Sequence, residues 1–448
     1  MAQDLGVQQS LMNIAVSITA LFSGIFIVVM GGLADRIGRV KIVQWGFVFS
    51  IAGSLLIALA PTGAMGSTFL MLGRICQGFS GAFIMPASLA LVKEYWDGAG
   101  RQRAVSLWSM GSWGGSGFAA LFGGLMAQNL GWRSIFFAGA AISVIGLLMV
   151  RGTPESRAEA RAGYKFDLGG VVTFMIAMVA LQIFATQGAS FGWVSWPSLT
   201  LLALAVLFGV IFFRIESGNA NAFVNFGLFR NMTYTGATIS NFLLNGVAGM
   251  LIVSMTLLQI GGDMDAQQTG LLTLGYAIAI VAFIRVGEKL LQRFGPRKPM
   301  IWGSLIVGAS ILLLMPTNLM LGTYNILAIV AYTLFGLGLA FYATPSTDAA
   351  LSNLPSDQAG SGSGIYKMAS SLGASFGVAI SAAVFTALSE DNSSVAWIEG
   401  VISYVGRQDN LAVREAAFFA LGINLLMVVA AIVSIMVTVP KGKPSDEQ

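Results

Sequence analysis

Gly31-Gly32-Leu33-Ala34-Asp35-Arg36-Ile37-Gly38-Arg39-Val40-Lys41 decides how this chain is read. It sets one acid and three bases between two stretches, 5–34 and 42–73, that hold no Asp, Glu, Lys or Arg. A membrane helix needs about 20 apolar residues, so a short charged loop between two such stretches reads as a turn between two spans. The pattern repeats along the chain. Segments 104–132, 168–213, 231–262, 299–347 and 416–440 are also free of charge. The two longest hold two spans each, broken at Trp193, Trp196 and Pro197 and at Pro316, Thr317 and Asn318. The spans predicted are 11–33, 42–60, 68–92, 104–127, 134–150, 168–187, 198–215, 234–260, 268–286, 300–316, 324–350, 362–388 and 414–439, thirteen in all. The fold class is an all-α membrane protein.

Composition excludes the alternatives. Of 448 residues 10% are charged, against about 25% in an average soluble chain. Apolar residues make up 56%, and mean hydropathy is +0.79. So few charges cannot cover a soluble surface, and a disordered chain would be polar. Histidine is absent and Cys76 is the only cysteine. That removes His catalysis, His or Cys metal sites and any intramolecular disulfide. No Gly-x-x-x-x-Gly-Lys-Ser/Thr loop is present, so no ATP-driven domain is expected. Gly360-Ser361-Gly362-Ser363-Gly364 has no strand before it and is not a nucleotide loop. The chain is not expected to be an enzyme, and no cofactor or metal is expected.

The net charge of +4 is a topology signal. Arg36, Arg39, Lys41, Lys93, Arg101, Arg103, Arg151, Arg157, Arg161, Lys165, Arg214, Arg230, Arg285, Lys289, Arg293, Arg297, Lys298, Lys441 and Lys443 fall on one side, and only Arg133, Arg407 and Arg414 on the other. Short cytoplasmic loops carry the basic excess, so the C-terminus is expected inside and nucleic acid is not an expected partner. A multi-pass protein of the cytoplasmic membrane follows, with the lipid bilayer as its surroundings.

Two pieces recur about 260 residues apart. Leu33, Arg36, Gly38 and Lys41 find counterparts in Leu290, Arg293, Gly295 and Lys298, with Gln292 in place of Asp35. Gly78 through Pro86 to Asp97 and Gly100 pairs with Gly336 through Pro345 to Asp357 and Gly360. Internal repeats of this kind build many transporters. The domains expected are a five-span bundle over 1–150, a linker with two extra membrane helices over 151–233, and a six-span bundle with the tail over 234–448.

Within this frame a few residues carry chemistry. Gly32 and Gly38 permit tight turning, and Asp35 with Arg36 and Arg39 can form a charge-assisted cluster at a helix N-terminus. Such a cluster, broken and re-formed, is a cytoplasmic gate, to which Arg101 and Arg103 are assigned. Arg74 is the only ionisable residue well inside a first-half span, with Gln77 one turn below. It faces a water-filled cavity or snorkels to the interface. Asp348, beside Pro345 and three hydroxyls, is the acid furthest into the membrane. It carries the proton, or it is a helix-end acid paired with Lys367. Gly111, Gly115, Gly117, Gly123 and Gly124 bare one face of span 104–127, for close packing or for bending. Asn241 and Asn245 either bond a neighbouring helix or line a cavity, with Trp108, Trp113, Phe242, Gln77 and Tyr342 as its other walls.

These residues are similar to a known family. Gly31 to Arg39 resembles the signature loop of the major facilitator superfamily, and Leu72-Gly73-Arg74-Ile75-Cys76-Gln77-Gly78 its Arg motif in the fourth helix. Gly111 to Gly124 resembles its antiporter motif, with Gly115-Ser116 or Gly117-Phe118 where Gly-Pro usually stands. Gly131-Trp132-Arg133-x-x-Phe136 and the two extra spans resemble the fourteen-helix drug:proton antiporter branch. Ile239 to Gly249, Tyr342 to Asp348 and Gly364 to Gly373 resemble its quinolone and multidrug efflux pumps. The resemblance covers about residues 10 to 440. It implies two six-helix bundles, alternating access, a monomer, and proton-coupled export of small amphipathic drug-like substrates, hence antibiotic resistance. Arg74 and Asp348 are then the proton-coupling residues. It also implies fourteen spans, so the first helix is expected to be missing here, with Ala2 to Val7 matching the loop that normally follows it. A carrier of one native metabolite is the alternative within transport. A non-transporting receptor or assembly protein is the alternative outside it, and has no use for two copies of the gating loop.

Overall fold

The computed structural model describes residues 1–7, 9–158, 167–219, 222, 224–390, 404–405 and 410–442. Arg161, Lys165, Arg407 and Lys443 of the basic pattern lie outside the described residues. Among the described residues the regular structure is helical throughout, with no strand.

The helices in chain order are α1 (Ala2–Leu5), α2 (Gln9–Ile37), α3 (Arg39–Ala58), α4 (Ala64–Tyr95), α5 (Gly98–Ser109), α6 (Gly115–Leu130) and α7 (Trp132–Val150). Next come α8 (Leu168–Phe191), α9 (Trp196–Ser217), α10 (Met232–Gly246), α11 (Gly249–Thr256) and α12 (Ala266–Leu272). The last are α13 (Leu274–Phe294), α14 (Arg297–Leu314), α15 (Leu321–Ser352), α16 (Ala359–Glu390) and α17 (Leu411–Thr438).

Among the described residues twelve stretches are long and apolar enough to cross a membrane. The expected span 104–127 is built differently from these. Its backbone runs through α5, a π turn at Met110–Gly114 and α6, so no single regular helix there reaches full length. A π turn is a common site of bending. Outer faces are as apolar as inner ones: Trp196 is 82% exposed and Met149 79%. In water such surfaces would drive association, whereas in lipid they are the ordinary covering of a spanning helix.

The chain forms two compact units. The first comprises Met1–Asp97, Ala119–Asn231 and Leu351–Ser371. In it α4 packs along both α2 and α3, α3 meets α7, and α8 pairs with α9. Phe22, Phe26, Phe49, Phe79 and Phe83 interlock on the facing sides of α2, α3 and α4. The second unit comprises Gly98–Phe118, Met232–Ala350 and Leu372–Gln448. Its core runs from Leu244 and Met250 through Ile284, Val307, Tyr332 and Tyr342 to Leu421 and Val428. Each unit therefore mixes segments from both sequence halves.

Two glycines show why the sequence folds this way locally. Gly38 is the only residue between α2 and α3, and its φ of 133° is a conformation other residues rarely adopt. A Cβ there would lie 2.5 Å from the Glu155 carboxyl carbon. At Gly31 a Cβ would lie 2.3 Å from the Gly360 carbonyl oxygen, so α2 and α16 touch backbone to backbone. The neighbouring Gly32 is buried in α2.

Candidate functional site

Arg39 opens α3 with 1% of its surface exposed. Its Nε and one terminal nitrogen donate to Asp35 Oδ1 at 3.0 and 2.9 Å. The other terminal nitrogen donates to Glu94 Oε2 at 2.9 Å and to Ser156 Oγ at 3.0 Å. A fifth bond reaches the Ser356 carbonyl. All five guanidinium donors are used, which is what makes so deep a burial tolerable. Asp35 is equally engaged. Its carboxylate accepts the backbone N–H of Gly360 at 2.8 and 2.9 Å and of Ser361 at 3.0 Å. These are free N–H groups in the first turn of α16, where a negative charge is favoured. The cluster thus binds the first repeat's loop to the start of α16, more than 300 residues away. Arg36 lies beside it, partly exposed.

A strap from the segment after α7 completes the cluster. Glu155 accepts the N–H of Val40 at 2.9 Å and of Lys41 at 3.1 Å, capping α3 from outside its own helix. Arg39 N–H donates to the Ser156 carbonyl at 2.9 Å, and Ala158 N–H to the Asp35 carbonyl at 2.7 Å. The Tyr95 hydroxyl donates to the Pro154 carbonyl. Residues 151–158, read from sequence as linker, are part of the site. Glu155→Ala is expected to expose two helix-start N–H groups and to cost about 1–2 kcal/mol. Thermal denaturation of the purified protein in detergent checks this.

In the second unit Asp348 is 1% exposed. Arg101 of α5 donates through Nε to its Oδ1 at 2.9 Å, and Gln102 Nε2 lies 3.5 Å from Oδ2. The sequence assigned Arg101 to the loop of Asp35. The structure pairs Arg101 with Asp348. Arg103 is exposed on α5. Two residues before Asp348, Ser346 donates to the Tyr342 hydroxyl at 2.9 Å. Tyr342 lies 2.8 Å from Ser240 Oγ, which itself donates to the Ala237 carbonyl at 3.2 Å. Each hydroxyl has one proton, so Tyr342 donates to Ser240. Asn241, fully buried, accepts from Asn245 Nδ2 at its carbonyl at 2.7 Å and at its side chain at 2.9 Å. Phe242 packs on Phe376, and Trp113 packs against the second unit's core. Trp108 is partly buried on α5.

Arg74 and Gln77 belong to the first unit. Arg74 donates to Gln77 Oε1 at 3.2 Å and its guanidinium lies 5.5 Å from the Phe136 ring centre. The glycine face is looser than its spacing suggests. Gly111 and Gly115 have open space beside them and Gly123 has one neighbour at 3.9 Å, whereas Gly114, in the π turn, presses on Val281 and Ile280 of α13. The surroundings of Gly117 and Gly124 lie outside the described residues.

Sequence reading missed Glu94, Glu155 and Ser156, which meet Arg39 only in the fold. It also missed Glu288. The repeat alignment set Gln292 against Asp35, but the buried acid of the second copy stands one turn earlier. Glu288 accepts from Arg285 at 2.6 Å and from Gln292 at 3.3 Å. A scan for acids one turn to either side of the aligned position finds it.

Apolar helices in two related sets, with buried ion clusters at their charged loops, define a multi-pass membrane transporter. The profile of the Major Facilitator Superfamily matches residues 1–258 and 235–447, and the chain belongs to that family. It is a transporter, not an enzyme. The quinolone resistance protein NorB of Staphylococcus aureus strain MRSA252 is 45% identical over 431 residues, 96% of this chain and 88% of that protein. NorB of strain COL matches to the same extent. Among solved structures, the proton:xylose symporter XylE bound to 6-bromo-6-deoxy-D-glucose superposes with a TM-score of 0.65 at 14% identity, covering 99% of this chain and 90% of that one. The human organic anion transporter MFSD10 gives 0.60 at 13%, covering 97% and 87%. At these identities the likeness is one of fold.

Proposed function

We propose that this chain exports quinolone-like amphipathic drugs across the plasma membrane in exchange for protons, as a monomer working by alternating access, with its C-terminus in the cytoplasm. The observation that carries this reading is the 45% identity to the quinolone resistance protein NorB over 96% of the chain. Asp348 is the proton carrier. Protonation removes its charge, releases Arg101 and loosens α5 from α15. The Asp35–Arg39 cluster, with Gly32, Arg36 and Gly38 in its loop, is the cytoplasmic gate, to which Arg103 of α5 is also assigned. A closed gate holds α2 against α16, and cytoplasmic opening requires those bonds to break. Asn241, Phe242, Asn245, Trp108, Trp113 and Tyr342 line the substrate path on the second unit. Gln77 does so on the first.

The test is proton movement in everted vesicles carrying the protein, on addition of a quinolone and other amphipathic drugs. Proton efflux from acid-loaded vesicles on adding drug is expected. Drug accumulation unaffected by collapsing the proton gradient overturns the coupling. A response to one metabolite and to no drug favours a dedicated carrier.

A further inference from the structure

In the second unit α13 and α14 form a hairpin that turns at Gly295 and Pro296, and the export reading does not use its outer side. On α13, Ile278, Ala282, Lys289 and Arg293 are spaced to share one face, and all four are exposed. On α14, Lys298, Trp302, Leu305 and Leu312 do the same. Each face is an apolar stripe, with Ile278 58% and Leu305 54% exposed, and each ends in basic residues at the turn. In a spanning hairpin lipid chains cover such stripes.

The turn is built around one aromatic ring. The Arg293 guanidinium lies 5.1 Å from the Phe294 ring centre and the Lys298 ammonium 5.3 Å. Trp302 meets the same ring edge-on at 5.2 Å. Like charges gathered at one ring repel each other, and the loop supplies nothing to offset them. Lys289 to Lys298 contain no acid. The preceding residue, Glu288, is buried and takes Arg285 and Gln292. Among the described residues no ion pair includes Lys289, Arg293 or Lys298. In the first repeat Asp35 holds Arg39 inside the protein; here Gln292 stands at that position and the cations face out.

Exposed cations at the head of two lipid-facing stripes fit a ligand that carries a phosphate and acyl chains together. We infer that this turn binds an anionic phospholipid, its phosphate taken by Arg293 and Lys298 beside Phe294 and its chains lying on the stripes of Ile278 and Leu305. Both side chains are long and exposed, so one phosphate can take a donor from each. Such charge-assisted bonds are short and strong, and the attraction to an anionic surface grows with each basic residue. Trp302, where the apolar stripe meets the charges, is the kind of residue that fixes depth at a membrane interface.

The test is binding, read without transport, so it stands apart from the export reading. The full chain in detergent is titrated with phosphatidylglycerol and, separately, with phosphatidylcholine of the same acyl chains, and bound lipids are counted by native mass spectrometry. One phosphatidylglycerol is expected to bind roughly tenfold or more tightly than phosphatidylcholine, as two basic residues at a membrane surface imply. Arg293→Gln with Lys298→Gln is expected to remove that preference. Arg293→Lys with Lys298→Arg keeps both charges and is expected to retain it, which separates loss of the site from loss of the fold. Lys41→Gln with Arg151→Gln removes two exposed charges from other loops and is expected to leave the tight site unchanged. Equal affinity for the two lipids overturns the inference, as does a preference that survives Arg293→Gln with Lys298→Gln. A preference lost in the charge-keeping variant, or lost equally with Lys41 and Arg151, also overturns it. So does displacement of the lipid by an equal concentration of glycerol phosphate, which has the head group but no chains to lie on the stripes.

Discussion

Asp35→Asn is expected to cut export at least tenfold while the protein still inserts in the membrane. The amide keeps the shape of the carboxylate but turns one acceptor oxygen into a donor. Asp35 Oδ1 accepts from Arg39 and Gly360, and Oδ2 from Gly360 and Ser361. Whichever way the amide is turned, an NH₂ group faces donors. Arg39 meanwhile loses the charge beside it, at 1% exposure, and keeps Glu94, itself half in solvent, as its only ionised partner among the described residues. Removing one member of a buried pair costs about 3–5 kcal/mol, enough to shift a closed-to-open equilibrium by orders of magnitude. Arg39→Lys is expected to fall between wild type and Asp35→Asn, since lysine keeps the charge but brings three donors in place of five. Efflux rates at matched membrane abundance check both. Wild-type efflux in a well-inserted Asp35→Asn protein removes the gate from this cluster.

Legibility followed the length scale of each interaction. The spans were readable because a membrane helix announces itself over about 20 residues of composition. Asp35 and Arg39 were readable because they are four apart on neighbouring turns, and Arg74 and Gln77 because three residues place them on one face. What Arg39 does beyond Asp35 was not readable. Glu94 is 55 residues away and Ser156 is 117, and no local pattern brings a segment that looks like linker back onto a helix start. Asp348 was visible as an acid deep in a span, but Lys367 and Arg101 were both basic residues of ordinary appearance. Packing of α5 beside α15 is what brings Arg101 to it. The span 104–127 was foreseen as one helix. Its π turn was not, because a single extra residue per turn leaves the hydrophobic pattern nearly unchanged.

The Arg101–Asp348 pair is expected to separate stability from coupling when both members are replaced together. Arg101→Leu leaves a carboxylate at 1% exposure with Gln102 at 3.5 Å, and Asp348→Asn leaves a guanidinium at 9% exposure without its counter-charge. Each single variant is expected to lose stability, since each leaves a buried charge without the opposite charge the pair supplies. The double variant Arg101→Met with Asp348→Leu removes both charges of the pair, and replacing a buried pair by apolar groups of similar size is neutral or stabilising by about 1–4 kcal/mol. Its melting temperature should therefore return to or above that of wild type. Transport is expected to behave differently. If protonation of Asp348 drives the release of Arg101, the double variant has nothing to protonate, and adding drug to everted vesicles should move no protons. A double variant that regains both melting temperature and drug-driven proton flux assigns the pair to packing alone. In that case the proton is carried by another acid, and Glu288, 3% exposed and held by Arg285 and Gln292, is the next to replace.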